Sequence, residues 1–167
     1  MLRRAALLAI AALILWRAAA LGLSSHYAER LRAGDAEAGA RALAWNGRQP
    51  EALLAQAMAL REKDPDGARE TLARAFRENP ADARPLIALA GMRQAQGDAT
   101  GAAELLDAAV RLTPADPWIH RQAASLWAAQ GDLAKALNHW SQALEADPQV
   151  KRQIIPILLV LAEDPRG

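Results

Sequence analysis

AQGDATGAAELLDAAVRLTPAD, residues 95–116, and AAQGDLAKALNHWSQALEADPQ, residues 128–149, decide the fold. Gln96-Gly97-Asp98 and Gln130-Gly131-Asp132 lie 34 residues apart, and so do Pro114 and Pro148. One more step back from Pro114 lands on Pro80. The same step links Ala143, Ala109 and Ala75, and also Ala136, Ala102 and Ala68. Small residues that recur in one fixed frame are the signature of stacked repeats.

Each unit reads as a helical hairpin. Asp116-Pro117 supplies an N-cap followed by proline at the first helical position. A helix then runs from Pro117 to about Gln130. Gly131 ends it, because glycine tolerates a left-handed cap. Asp132 caps a second helix, which runs to about Ala146, and Pro148 stops further winding. The preceding unit repeats the scheme, with Asp82 and Asp98 as caps and Gly97 as the stop. Ala124, Ala136 and Ala143 fall where the two helices approach closely. Trp127, Leu137 and Trp140 are expected to fill the space around them. One hairpin has nothing to bury these residues against, so neighbours must stack.

Composition agrees. Of 167 residues, 52% are hydrophobic, but only 4% are aromatic and none is cysteine. Good helix formers dominate, and no alternation of β-branched residues predicts strands. The fold class read from the chain is all-α, a helix-turn-helix repeat solenoid. Three of the 20 basic side chains, Arg3, Arg4 and Arg17, lie in the first 23 residues. The remainder is slightly acidic, which excludes the basic face that nucleic-acid binding needs.

The pattern resembles the tetratricopeptide repeat family, whose unit is a 34-residue helix–turn–helix. In the last unit Trp127, Gln130-Gly131-Asp132, Ala136, Trp140, Ala143 and Asp147-Pro148 match the family's pattern. The middle unit matches at Leu89, Ala90, Gln96-Gly97-Asp98, Ala102, Leu106, Ala109 and Pro114. It departs at Arg93, where the family carries an aromatic residue. The first unit fits with Leu53, Ala57, Leu60, Ala68, Leu72, Ala75 and Pro80, but is one residue short. Its turn is Lys63-Asp64-Pro65-Asp66-Gly67. The resemblance implies a right-handed superhelix with repeats at 50–82, 83–116 and 117–150. A degenerate repeat or linker at 24–49 would precede them, with a Gly34-Asp35 turn.

Residues 5–23 form an apolar stretch interrupted only by Arg17. As a helix it would be ~28 Å long, close to the ~30 Å hydrocarbon core of a bilayer. Arg3 and Arg4 before it favour a cytoplasmic N-terminus. Arg17 lies towards the far end, where its long stem can carry the guanidinium to the interface beside Trp16. Two other readings stay open: a signal peptide cleaved after Ala18-Ala19-Ala20, and a buried soluble helix. The first two readings both carry the remaining chain out of the cytoplasm. At the other end, residues 151–167 are read as a capping helix. Ile155, Leu159 and Val160 exceed the single apolar stripe a cap needs, so they form a candidate self-association or partner face.

No motif predicts catalysis, and no cofactor or metal is expected. His26, His120 and His139 fall on different helices, and the serines lack an accompanying base. Asp64-Pro65-Asp66-Gly67 lacks the later ligands of a calcium loop and reads as a helix–helix turn. The family's binding surface is the concave groove lined by the first helix of each unit. On this chain the matching positions include Leu54, Met58, Arg61, Arg84, Ile87, Gln94, Trp118, Arg121 and Ser125. Apolar side chains mixed with arginines would suit a protein or peptide with apolar anchors and some acidic character. The lysines and asparagines that some relatives use to clamp a C-terminal carboxylate are not present.

Arginine outnumbers lysine 17 to 3 and alanine is abundant, a bias common in bacteria with GC-rich genomes. The expectation is a single-pass inner-membrane protein with periplasmic repeats and a non-enzymatic scaffolding role. By resemblance it would serve an envelope assembly such as polysaccharide synthesis or export. A holder of unfolded exported polypeptides, as in cytochrome c maturation, and a self-associating spacer are the alternatives.

Overall fold

A computed structural model describes residues 2–146. Ile155, Leu159 and Val160, with the expected capping helix, lie outside the described residues. Among those described there are eight helices and no strand. They are α1 (Leu2–Arg32), α2 (Ala38–Trp45), α3 (Pro50–Leu60), α4 (Pro65–Glu78), α5 (Arg84–Ala95), α6 (Ala99–Leu112), α7 (Pro117–Ala129) and α8 (Leu133–Ala146). The chain forms two compact units that divide between Asn79 and Pro80.

In the first unit, α1 runs without a break through the boundary expected after residue 23. Its two halves differ. Leu7, Leu8, Leu13 and Leu15 are 64–72% exposed. Ala20, Ser24 and Ala28 are buried at helical spacing and face α2, where Ala38, Gly39 and Ala42 are buried in turn. The Ser24 hydroxyl donates to the Ala42 carbonyl at 2.9 Å, which fixes the register of the pair. Gly34, at φ 101°, turns the chain between them. That conformation costs glycine nothing and strains other residues.

α3 and α4 make the next hairpin of that unit. Leu53, Ala57, Ala68, Leu72 and Ala75 are 0–1% exposed between them. Asp64 caps α4 by accepting from the Gly67 amide at 3.0 Å. Pro65 takes the first helical position, where its missing N–H is harmless. This turn, residues 61–64, is one residue longer than those at 96–98 and 130–132 and uses no left-handed residue, in keeping with its departure from the Gln-Gly-Asp pattern.

The second unit contains two hairpins in the expected frame. Ala90, Ala102 and Ala109 are fully buried in α5–α6, and Ala124, Ala136 and Ala143 in α7–α8. Gly97 and Gly131 adopt φ of 79° and 83° in the two turns. Asp98 accepts from Gly101 N at 2.8 Å, and Asp132 from Lys135 N at 3.1 Å. Asp116 caps α7 by accepting from Trp118 N at 2.9 Å, but Asp82 is not the cap expected for α5: Ala83 takes that position without a side-chain bond, and Asp82 accepts from Arg84 N at 3.0 Å from one residue further out. A second expectation fails: Leu137 is 50% exposed, while Trp127 and Trp140 fill the core at 3% and 4%. On α8, Leu137 follows Ala136 and is carried about 100° around the helix, off the face turned to α7.

Candidate interaction surfaces

The candidate groove residues fall on both units. In the first, Leu54 and Met58 lie on α3 and Arg61 caps its C-terminus. Their spacing of four and three residues puts them on one helix face. Met58 is 46% exposed, Leu54 half-buried and Arg61 exposed.

In the second unit, α5 and α7 lie side by side. A Cβ on Gly91 would sit 3.8 Å from Leu126 Cδ2, so the two helices approach closely at that glycine. Trp118 is 38% exposed at the start of α7, its amide held by Asp116. Arg84 is clamped to the Asp82 carboxylate through Nε at 2.9 Å and Nη2 at 2.7 Å. That pairing neutralises part of the basic character expected of this face. Ile87 is only 6% exposed, so most of it packs inside the unit. Gln94 Oε1 is buried without a hydrogen-bond partner among the described residues. Arg121 is half-buried and Ser125 exposed, its hydroxyl donating to the Arg121 carbonyl at 3.0 Å.

Arg93, the departure from the family pattern, has a clear role. Its Nη1 lies 2.7 Å from Asp98 Oδ2, across the turn it precedes. This bond and the Gly101 amide hold the Asp98 carboxyl below its ordinary pKa. At the matching place in the last hairpin, Trp127 offers its ring face to Lys135 Nζ, 3.9 Å from the centroid. Both turns are thus fastened by a cation on the capping carboxylate, and Lys135, 3.3 Å from Asp132 Oδ2, also covers an aromatic face.

Sequence reasoning missed a histidine pair. His120, 2% exposed on α7, and His139, half-buried on α8, approach with Nδ1 to Nδ1 at 3.1 Å. His120 Nε2 lies 2.9 Å from the Pro114 carbonyl, which only accepts. His120 therefore carries its proton on Nε2, and its Nδ1 accepts from His139 Nδ1–H. Burial, followed by the neighbouring His120, lowers the pKa of His139; Asp107 opposes this and Lys135 adds to it. Both histidines stand at similar distances from the Gly131 turn, one before and one after, and that was the available signal. Pro114, Ala115, His120, Gln142 and Glu145 line an open cleft of ≈ 330 Å³. Among the described residues, no three His, Asp or Glu side chains gather as a metal would require.

The model of the tetratricopeptide repeat matches residues 59–117 and 93–154. The chain belongs to the tetratricopeptide repeat family. Solved structures share its fold. It is similar to the Yersinia enterocolitica type III secretion translocator chaperone SycD, at 20% identity and a TM-score of 0.57, covering 71% of this chain and 91% of that one. It is similar to MamA at 18% identity and a TM-score of 0.53, covering 81% of each. It also resembles the APC/C hetero-tetramer Cut9–Hcn1, at 20% identity and a TM-score of 0.56. That match covers 66% of this chain and spans about a fifth (22%) of the other. No curated protein matches the sequence. Tetratricopeptide repeats are protein–protein interaction modules, and this chain carries that module together with one helix long and apolar enough to cross a membrane.

Proposed function

We propose that the protein is a membrane-anchored, non-enzymatic scaffold whose tetratricopeptide repeats hold a partner protein outside the cytoplasm. One observation carries the reading: α1 is unpacked and apolar over its first half, then continues unbroken into a buried contact with α2. A helix apolar on every side needs an apolar solvent. Cleavage after Ala20 would remove a side chain that is 0% exposed in the hairpin, which favours retention of the anchor. Arg3 and Arg4 favour a cytoplasmic N-terminus, so the repeats would face the periplasm of a bacterial envelope. Polysaccharide synthesis or export is the first setting to examine, on family resemblance.

In the second unit Trp118 is the exposed anchor of the face, with Arg121 three residues further along α7. An apolar ligand segment with an acidic group would match this chemistry. The test is affinity purification from gently solubilised membranes, comparing the native chain with an Arg84→Ala, Trp118→Ala, Arg121→Ala variant. The expected result is a defined partner that the variant loses. Recovery of the chain only with itself in both samples would overturn the groove reading and favour self-association through Ile155, Leu159 and Val160. Capture of many unrelated extended chains would favour a holder of unfolded polypeptides.

A further inference from the structure

We infer that the turn between α2 and α3, residues 45–48, is a second point of contact with the lipid bilayer, with Trp45 seated at the interface. The inference rests on the reading of α1 as a membrane anchor and adds a surface that the anchor alone does not require.

The register of α1 against α2 places the turn. The helices run antiparallel, and the Ser24 hydroxyl bonds to the Ala42 carbonyl at 2.9 Å. Trp45 is three residues beyond Ala42, so it lies ~4.5 Å further along the axis at 1.5 Å per residue. It is carried towards the N-terminal half of α1, level with Leu21. Ala20 is 0% exposed, so the packing of the hairpin against α1 extends to this height. Leu21 and Leu23 belong to the apolar stretch of residues 5–23. If that stretch lies in hydrocarbon, the end of α2 is at the boundary between acyl chains and headgroups.

The residues there suit that boundary. Trp45 is 41% exposed, and tryptophan is enriched where one side of a ring is apolar and the other wet. Arg48 follows it with a side chain 72% exposed, its Nε donating to Glu78 at 2.8 Å. Arg74, also exposed, donates from Nη2 to the Gly47 carbonyl at 3.2 Å. On α1, Arg17 is one turn below Ala20, where its guanidinium can rise to the same level. The turn is fixed, since Gln49 N donates to Asn46 O at 3.0 Å and Arg48 N to Asn46 Oδ1 at 3.3 Å. Docking it on lipid therefore orders little that is not already ordered.

The chain has no cysteine, so a single introduced one carries a nitroxide label at a unique place. A Cβ at Gly47 meets nothing closer than the Leu43 carbonyl at 3.8 Å, so Gly47→Cys leaves the turn and Trp45 intact. Lys63→Cys marks the opposite end of α3, about 16 Å away along the helix, and Leu13→Cys marks the anchor. Each full-length variant is reconstituted in phosphatidylcholine–phosphatidylglycerol vesicles, and label accessibility to oxygen and to an aqueous nickel chelate is read. The expected result is a Gly47 label shielded from nickel and open to oxygen relative to the Lys63 label. Adding Trp45→Ser should return it towards water. A Leu13 label deep in lipid with a Gly47 label as nickel-accessible as that at Lys63 would overturn the inference and leave the anchor standing. A Leu13 label in water would remove the anchor and the inference together.

Discussion

The α5–α6 and α7–α8 hairpins occupy the same frame yet are filled differently. Both keep alanines at the close approach, Ala90, Ala102 and Ala109 in one and Ala124, Ala136 and Ala143 in the other, all fully buried. Around those alanines the chemistry diverges. Arg93 and Leu106 in the first stand where Trp127 and Trp140 stand in the second. Leu86 and Leu105 stand where the second has His120 and His139. The backbone crossing is set by what is small, and the large positions exchange freely provided volume and polar partners are met.

Truncating one frame position in each hairpin gives the widest contrast. Trp127→Ala removes a large side chain that is 3% exposed and should cost about 3–5 kcal/mol. Arg93→Ala, at the matching position, removes a half-exposed ion pair and should shift the urea midpoint far less. Similar losses at the two positions would show that Arg93 has a packing role that its exposure does not reveal.

The alanines predict the opposite pattern, a loss shared by both hairpins. Ala102→Leu and Ala136→Leu each insert bulk where no space exists and should cost about 1–3 kcal/mol each. Urea denaturation of the two variants checks this. If only one is destabilised, the two helix pairs do not share a crossing distance.

These contrasts follow what the sequence made legible. The 34-residue period placed the turns and caps because glycine and aspartate there answer local backbone demands that no distant contact can override. Ala68, Ala102 and Ala136 were legible for a related reason, since a close crossing leaves room for nothing larger. Leu137 was misassigned because apolar character does not say which face of α8 is covered. The continuity of α1 was hidden because composition changes near Ser24 while the backbone does not. The groove positions were carried over from the family, and burial separates them: Ile87 faces largely inward while Trp118 remains available. The His120–His139 pair joins residues whose meeting depends on the exact rotation of two helices.

The histidine pair can be compared directly with its apolar counterpart. His139→Leu alone removes the donor to His120 Nδ1 and leaves a buried acceptor unmet, a loss of about 1–3 kcal/mol. Changing both, His120→Leu with His139→Leu, copies the α5–α6 solution and should recover most of that loss. A double-mutant cycle from thermal melts measures the coupling. Additive effects would mean that the 3.1 Å approach contributes nothing to stability.

The smallest effect is the dependence on pH, and its sign separates the two hairpins again. His139 binds its proton less readily in the fold than an ordinary imidazole at 6.5, chiefly through burial and the adjoining His120, with Lys135 adding and Asp107 opposing. Below that value the unfolded chain holds more protons than the folded one, so stability rises with pH across this window. Acidification from about pH 7.5 to about pH 5.5, through the ordinary imidazole range, should therefore weaken the α7–α8 hairpin. Asp98 and Asp132 act in a separate window. Their carboxyls lie below the ordinary 3.8, Asp98 through Arg93 and Gly101, Asp132 through Lys135. Their contribution is present above 3.8 and is lost only as pH falls further. Thermal melts across both windows should show the upper slope vanish in the double leucine variant while the lower slope survives. An upper slope that persists would place the titrating group outside the pair, and the α7–α8 hairpin would then be no more acid-sensitive than its neighbour.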